Sequence, residues 1–489
     1  MRDFYFPKGG LSMKPLNIPV GISDFSEIRK NGYYYVDKSF LIRELLKIPG
    51  TQVTLITRPR RFGKTLGMSM LASFFDIRKD SKESFQDLEI STCTDLCRTW
   101  QNQYPTIFIS FRRVDGLTFS EASYMLATVI SELYQEHSYL LDSPSFNAYD
   151  KNTFSKIASG ITNPLELKDS LFFLTRMMQK RYGKPVILLI DEYDVPLDKA
   201  FQNGFYREMV SLIRGLFGMA LKTNDSLQFA VLTGCMRISK ESIFTGLNNF
   251  EVLSILNDQY DESFGFTDAE VKKILNDYNF KDHYLEVKEW YDGYHFGNTD
   301  IYCPWDVIQY CKSLYLDVSA KPQDFWSNSS GNAIVRRFID KADISTRNEI
   351  ERLIAGESIE KDVVSELTYD EIDKSIENLW SVLFTTGYLT HKGCTESGKY
   401  HLVIPNREIR NLFVKKIREW FSDVSRKDGK TLEEFCSVFI KKDSKKIEQI
   451  FGDYLWNTIS IRDTAVAKEN FIKYGIACYK KFSKVVIGE

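Results

Sequence analysis

Three short stretches of this 489-residue chain hold residue types that handle phosphate and divalent metal. The first is TRPRRFGKTLG, from Thr57 to Gly67. Backbone N–H groups at a helix N-terminus can wrap phosphate, a following lysine adds charge, and a Ser or Thr hydroxyl reaches Mg2+. Gly63, Lys64 and Thr65 supply these last three elements, but Arg58 stands where the spacing GxxxxGK[ST] asks for its first glycine, and Pro59 follows. A residue before proline is pushed toward extended backbone, so this loop is expected to enter differently from the common form. Its candidate phosphate-binding residues are Arg58, Pro59, Arg60, Arg61, Phe62, Gly63, Lys64, Thr65 and Leu66, with the three arginines supplying cationic charge near the phosphates.

The second stretch, ILLIDEYD, ends an apolar run on acids. Asp191, with Thr65, is the expected metal-side pair, and Glu192 the expected general base for an attacking water. The third, FAVLTGCMRIS, closes an apolar run on Thr233. Thr233 either senses the terminal phosphate and positions water or caps a helix. Arg237 either neutralises phosphate charge or makes a surface ion pair. The sequence leaves both choices open.

A GKT tripeptide is common by chance, so its setting decides how much it means. QVTLIT precedes the loop as a β-branched strand, and KTLGMSMLASFF follows with Leu66, Met70, Leu71 and Phe74 at helical spacing. Further short apolar runs lie at 105–111, 185–191, 227–233 and 251–256, separated by long stretches of helical character. Strands alternating with helices predict a mostly parallel sheet covered on both faces, with ligands outside the carboxyl ends of its strands. After about residue 260 the pattern changes. Segments 268–278 and 369–389 read as helices, the second followed by a hairpin over TTGYLT and KYHLVIPN, the outline of a winged helix. The aromatic stretch WYDGYHFGNTDIYCPWDV (290–307) reads as core of a second domain, because large aromatics dominate cores.

Composition narrows the partners. A formal charge of −2 gives no whole-chain reason to expect nucleic acid or a membrane. The eight cysteines are scattered, which predicts reduced thiols and a cytoplasmic home, and neither they nor the five histidines show metal-ligand spacing. The start MRDFYFPKGG has no leader-like apolar run, and VILLI is far too short to cross a bilayer.

Taken together, IPVGISDFSEIRKNGYYYVDKS (18–39), TRPRRFGKT, VILLIDEYDVPL, LTGCMRISKESIFTGLNN and WYDGYHFG resemble the bacterial AAA-ATPase-like proteins, which usually carry a C-terminal nuclease-like domain of the PD-(D/E)XK type. The resemblance covers nearly the whole chain from Met13, and Arg58 belongs to that family's usual loop. It implies ATP and Mg2+ as cofactors and an α/β, additional-strand P-loop core. Strands near 53, 106, 186, 228 and 252 would assemble in the order 5-1-4-3-2, placing Asp191, Glu192 and Thr233 beside the loop strand. It also implies that Asp37 and Lys38 approach the nucleotide base. The expected organisation is an unstructured lead (1–12), a P-loop ATPase domain (13–260), a helical, winged-helix-like domain (261–409) and a shortened nuclease-like module (410–489). In that module IRDTAVAKENF (461–471) and IKYGIACYKKFSKVVIGE (472–489) look like two ends joined without their centre. No (D/E)xK strand follows residue 471, so the carboxylate cluster a metal nuclease needs is missing and nuclease activity is not expected. The expected function is a Mg-dependent ATPase acting as a conformational switch. The alternative is a nucleic-acid-binding regulatory protein, with DNA as its possible partner, in which nucleotide binding is regulatory, motivated by the winged-helix outline and a mildly basic C-terminal region. A protein partner fits either reading.

Overall fold

A computed structural model describes residues 17–47, 51–160, 163–236, 243–244, 250–327, 332–364, 366–427, 445–446 and 449. The chain divides into two compact units, Met1–Gly331 with Glu360–Ile409, and Asn332–Ile359 with Arg410–Glu489.

The first unit is built on five strands, β1 (Val53–Thr57), β2 (Thr106–Ser110), β3 (Val186–Asp191), β4 (Leu227–Gly234) and β5 (Phe250–Leu253). All pair in parallel, in the order β5-β1-β4-β3-β2. Every residue of β1 and β3 is buried, which is why VTLIT and VILLID show no polar alternation. The register sets Thr57 opposite Gly234, Ser110 opposite Asp191 and Ile190 opposite Leu232, so four strands finish level at one edge. β5 stops at Leu253, before the end of the apolar run expected there. The Asn257 side chain accepts hydrogen bonds from the Ser254 N–H and hydroxyl and turns the chain.

Helix Lys64–Phe75 has nine of its twelve residues buried, so it is enclosed on nearly all sides. It is tied to helix Phe25–Lys30, where Ser69 Oγ accepts from the Phe25 N–H at 2.9 Å and the Ser26 and Ser73 hydroxyls meet at 2.9 Å. Helix Pro164–Tyr182 packs along Tyr206–Leu221. Its ends follow from sequence, with an Asn163/Glu166 capping box, proline in the first turn and Gly183 left-handed at φ 66°.

Beyond β5 the same unit holds an antiparallel sheet of β6 (Phe266–Thr267), β8 (Thr299–Tyr302) and β7 (Tyr294–Phe296), in that order. Helices Asp268–Asp277, Tyr284–Tyr291 and Pro304–Leu316 surround a core that includes Val271, Leu275, Val287, Tyr291 and Val307. The helix expected over 369–389 is broken into Tyr369–Ile372 and Ile376–Thr385. Thr368 with Glu371 caps the first piece and Ser375 caps the second, so two start signals interrupt one apolar pattern. A hairpin of Thr390–Cys394 and Tyr400–Val403 follows.

In the second unit, Asp343 caps helix Ile344–Ile354, accepting from the Thr346 N–H at 2.7 Å. The helix that starts at Arg407 and reaches Lys427 brings Arg410 Nε to the Ile354 carbonyl at 2.7 Å and Trp420 beneath the Arg347 guanidinium at 4.7 Å. The expected lead and both joined ends of the expected nuclease-like module lie outside the described residues. Among the described residues no helix is long and apolar enough to cross a membrane.

Candidate functional site

The level carboxyl ends of β1 to β4 bring together residues as far apart in sequence as Lys64 and Cys235, 171 positions. Asp191, fully buried at the end of β3, accepts three hydroxyls. Thr233 Oγ1 donates to Oδ1 at 2.7 Å, while Thr65 Oγ1 at 2.9 Å and Ser110 Oγ at 3.2 Å donate to Oδ2. Lys64 is buried at the start of its helix. Its ammonium donates to the Arg58 and Pro59 carbonyls at 2.9 Å each and lies 3.5 Å from Cys235 Sγ. Gly63 takes φ 86°, and a Cβ there would meet nothing within 4 Å, so the left-handed backbone rather than crowding calls for glycine.

Glu192 is half-buried with φ 53°, a left-handed backbone that few non-glycine residues hold. Burial, then the neighbouring Asp191 charge, raises its pKa above the ordinary glutamate value. Asp194 accepts from the backbone N–H groups of Cys235 at 2.8 Å and Met236 at 3.0 Å, tying the exit of β4 to the exit of β3. Burial raises its pKa, and those two N–H groups work against the shift.

The three arginines separate. Arg58 lies inside the fold. Its guanidinium is fully buried and donates to the carbonyls of Thr57, Leu253, Gln259 and Tyr260 at 2.9 to 3.5 Å, while its own N–H bonds the Gly234 carbonyl. Removal from water lowers its pKa to about 10. The Arg60 side chain is exposed and reaches Asp198 at 3.4 Å. Arg61 is left-handed at φ 72°, its guanidinium 4.2 Å above the Trp305 ring. Pro59 and Phe62 are buried and Leu66 is half-buried. Asp37 accepts from the Ser39 and Glu89 N–H groups, and Lys38 pairs with Glu270 at 2.7 Å and the Glu262 carbonyl, so both side chains are engaged in structural contacts. Arg237 lies outside the described residues.

Three neighbours of this cluster escaped the sequence reading. Ser110 ends TIFIS as Asp191 ends VILLID, a signal available from the strand pattern. Asp194 precedes VPL as a helix-start acid. Cys235 offered no signal.

A glycine-lysine-threonine helix start thus lies beside a buried, hydroxyl-bound aspartate at the end of a parallel strand. Residues 19–244 match the family model described as Predicted AAA-ATPase. That span ends before the second sheet of the first unit. A protein of Azotobacter chroococcum mcd 1, described as an uncharacterized protein in vnfD 5'region, is 26% identical over 403 residues, covering 81% of this chain and 69% of that protein.

Proposed function

We propose that the chain binds ATP with Mg2+ at the 58–66 loop and hydrolyses it slowly, using the nucleotide as a conformational switch. One observation carries the reading: Thr65, Asp191 and Thr233 are joined by hydrogen bonds beside Lys64 at the strand ends. The matching family description, Predicted AAA-ATPase, points the same way.

The donor set fits Mg2+, a hard cation that takes oxygen ligands and is commonly held by one or two carboxylates plus substrate phosphate and water. Among the described residues no cluster of three His, Cys, Asp or Glu is arranged for a metal, so a protein-only cage is not the fit. Thr65 and Asp191 are the residues that would hold it, and when bound it neutralises charge on the phosphates. Thr233 and Ser110 orient the Asp191 carboxylate. Lys64, whose ammonium rests on the Arg58 and Pro59 carbonyls, supplies the charge for the phosphates, and Gly63 opens the backbone there. Glu192, poised by burial and held by an unusual backbone, accepts the proton of an attacking water. The test is direct binding of Mg-ATP and Mg-GTP to wild type and Lys64→Ala. ATP affinity should fall by at least about a hundredfold in the variant, the scale of losing a charge-assisted phosphate contact. Full affinity in Lys64→Ala would contradict the proposal.

A further inference from the structure

The loop that begins TRPRRF is gripped, residue after residue, by the end of β5 and the chain that follows it. Arg58 donates to the carbonyls of Leu253, Gln259 and Tyr260, with the Phe296 and Phe264 rings at 5.4 and 5.9 Å from its guanidinium. Pro59 packs where Gly387 has no side chain, and a Cβ there would come within 2.8 Å of its ring. The Arg60 carbonyl accepts the Trp326 indole N–H at 3.1 Å. Arg61 lies over Trp305 at 4.2 Å, and its carbonyl accepts from the Cys303 thiol at 3.9 Å. Phe62 meets Tyr294 edge-on at 4.9 Å and Phe296 at 5.2 Å.

An ordinary phosphate loop turns on glycine at its first position. Here that position is arginine, and the left-handed backbone appears at Arg61 instead, where a side chain resists it. Such a conformation persists only where its surroundings over-determine it. The Trp305 ring beneath the Arg61 guanidinium and the Cys303 thiol on its carbonyl are the surroundings in question. They come from the end of β8 and the first turn of helix Pro304–Leu316, a segment whose aromatic content would otherwise pass as plain core.

We propose that Trp305 is a positioning residue for the nucleotide loop, holding Arg61 in its left-handed conformation so that Gly63, Lys64 and Thr65 face the phosphates. The post-β5 region thereby replaces the missing first glycine as the source of the loop's shape. This rests on the ATP-binding reading, but its central claim concerns the loop alone.

Trypsin supplies a readout independent of nucleotide. Cleavage at Arg60 and Arg61 in the ligand-free protein needs local opening of the loop, and the Arg58–Pro59 bond resists it. Native-state proteolysis in this regime tracks the population of the open form. In Trp305→Leu, cleavage at Arg60 should be faster by roughly tenfold, the scale of a partly desolvated cation–π contact. Trp305→Phe, which keeps an aromatic face, should stay within about threefold of wild type. Arg61→Gln breaks the contact from the loop side and should also open the Arg60 site. It carries the test if the leucine variant does not fold. The second readout is affinity for a fluorescent ATP analogue with Mg2+, expected to weaken by roughly tenfold in Trp305→Leu and to be restored in Trp305→Phe. Wild-type cleavage rates at Arg60 in both Trp305→Leu and Arg61→Gln would overturn the proposal. A wild-type protein that binds no Mg-ATP would instead overturn the functional reading, leaving the proteolysis to judge the loop.

Discussion

Glu192 and Arg58 show how differently two charged side chains can serve one site. Glu192 sits beside Asp191 with its pKa raised by burial, so it is a better proton acceptor than a solvated glutamate. Glu192→Gln keeps size and hydrogen bonding but cannot take a proton. ATP affinity should stay within a few fold of wild type while turnover falls by about 10²- to 10⁴-fold, the usual contribution of a general base. Single-turnover assays beside equilibrium binding separate the two, and equal loss in both would remove Glu192 from the base role. Arg58 predicts the opposite pattern. Its guanidinium satisfies four carbonyls within a buried region, so restoring the common glycine strands those acceptors. Arg58→Gly should lower unfolding free energy by about 3 kcal/mol or more by denaturant titration. A glycine variant as stable as wild type would show that the four contacts carry little.

The exits of β3 and β4 form the element that holds Asp191 and Thr233. Gly234 leaves β4 where a Cβ would lie 2.5 Å from the Tyr193 ring and 2.8 Å from Asp194 Oδ1. The ring cannot swing aside freely, because Tyr193 is buried and its hydroxyl is bound to the Met236 carbonyl at 2.6 Å. Gly234→Ala should therefore cost about 1–3 kcal/mol of stability through overpacking. Gly218→Ala, inside helix Tyr206–Leu221 with nothing within 4 Å of its Cβ, should instead be neutral or stabilising by up to about 1 kcal/mol. Thermal melts of the pair check this, and equal effects would argue against the clash. Much of this element was legible in sequence. The runs around VTLIT and VILLID declare buried parallel strands, and their polar last residues mark the edge where the candidate site lies. TIFIS could have been read the same way to find Ser110. The grip on the loop was not legible, because Arg61 and Trp305 stand far apart in the chain and no local pattern encodes their meeting. The aromatic run at 290–307 had the chemistry of a core, and most of it is one. Only the placement of Trp305 on Arg61 sets that residue apart.

At the scale of the molecule, the first unit closes around two buried acids that come from distant parts of the chain. Asp306 follows Trp305 in helix Pro304–Leu316, and Glu408 stands in the first turn of helix Arg407–Lys427. Glu408 Oε1 accepts from the Ser327 N–H at 2.8 Å, while Asp306 Oδ1 and Glu408 Oε2 are buried without hydrogen-bond partners. Burial pushes both pKa values up, and for Glu408 the nearby Asp306 charge adds to the rise. The folded pair therefore keeps protons that the unfolded chain gives up near its ordinary carboxylate values of about 4. Stability from this pair is fully present below that range and is lost as pH climbs through neutrality, because the unfolded state then binds fewer protons than the native one. The slope can approach about 1.4 kcal/mol per pH unit for each proton retained. Glu408→Gln removes one titration while keeping an acceptor for Ser327, so its stability should depend less on pH. Melting temperatures of wild type and Glu408→Gln measured from pH 5 to 9 should diverge upward, with the variant gaining on wild type as the pH rises. Parallel curves would mean that the carboxyls do not hold their protons in the native state.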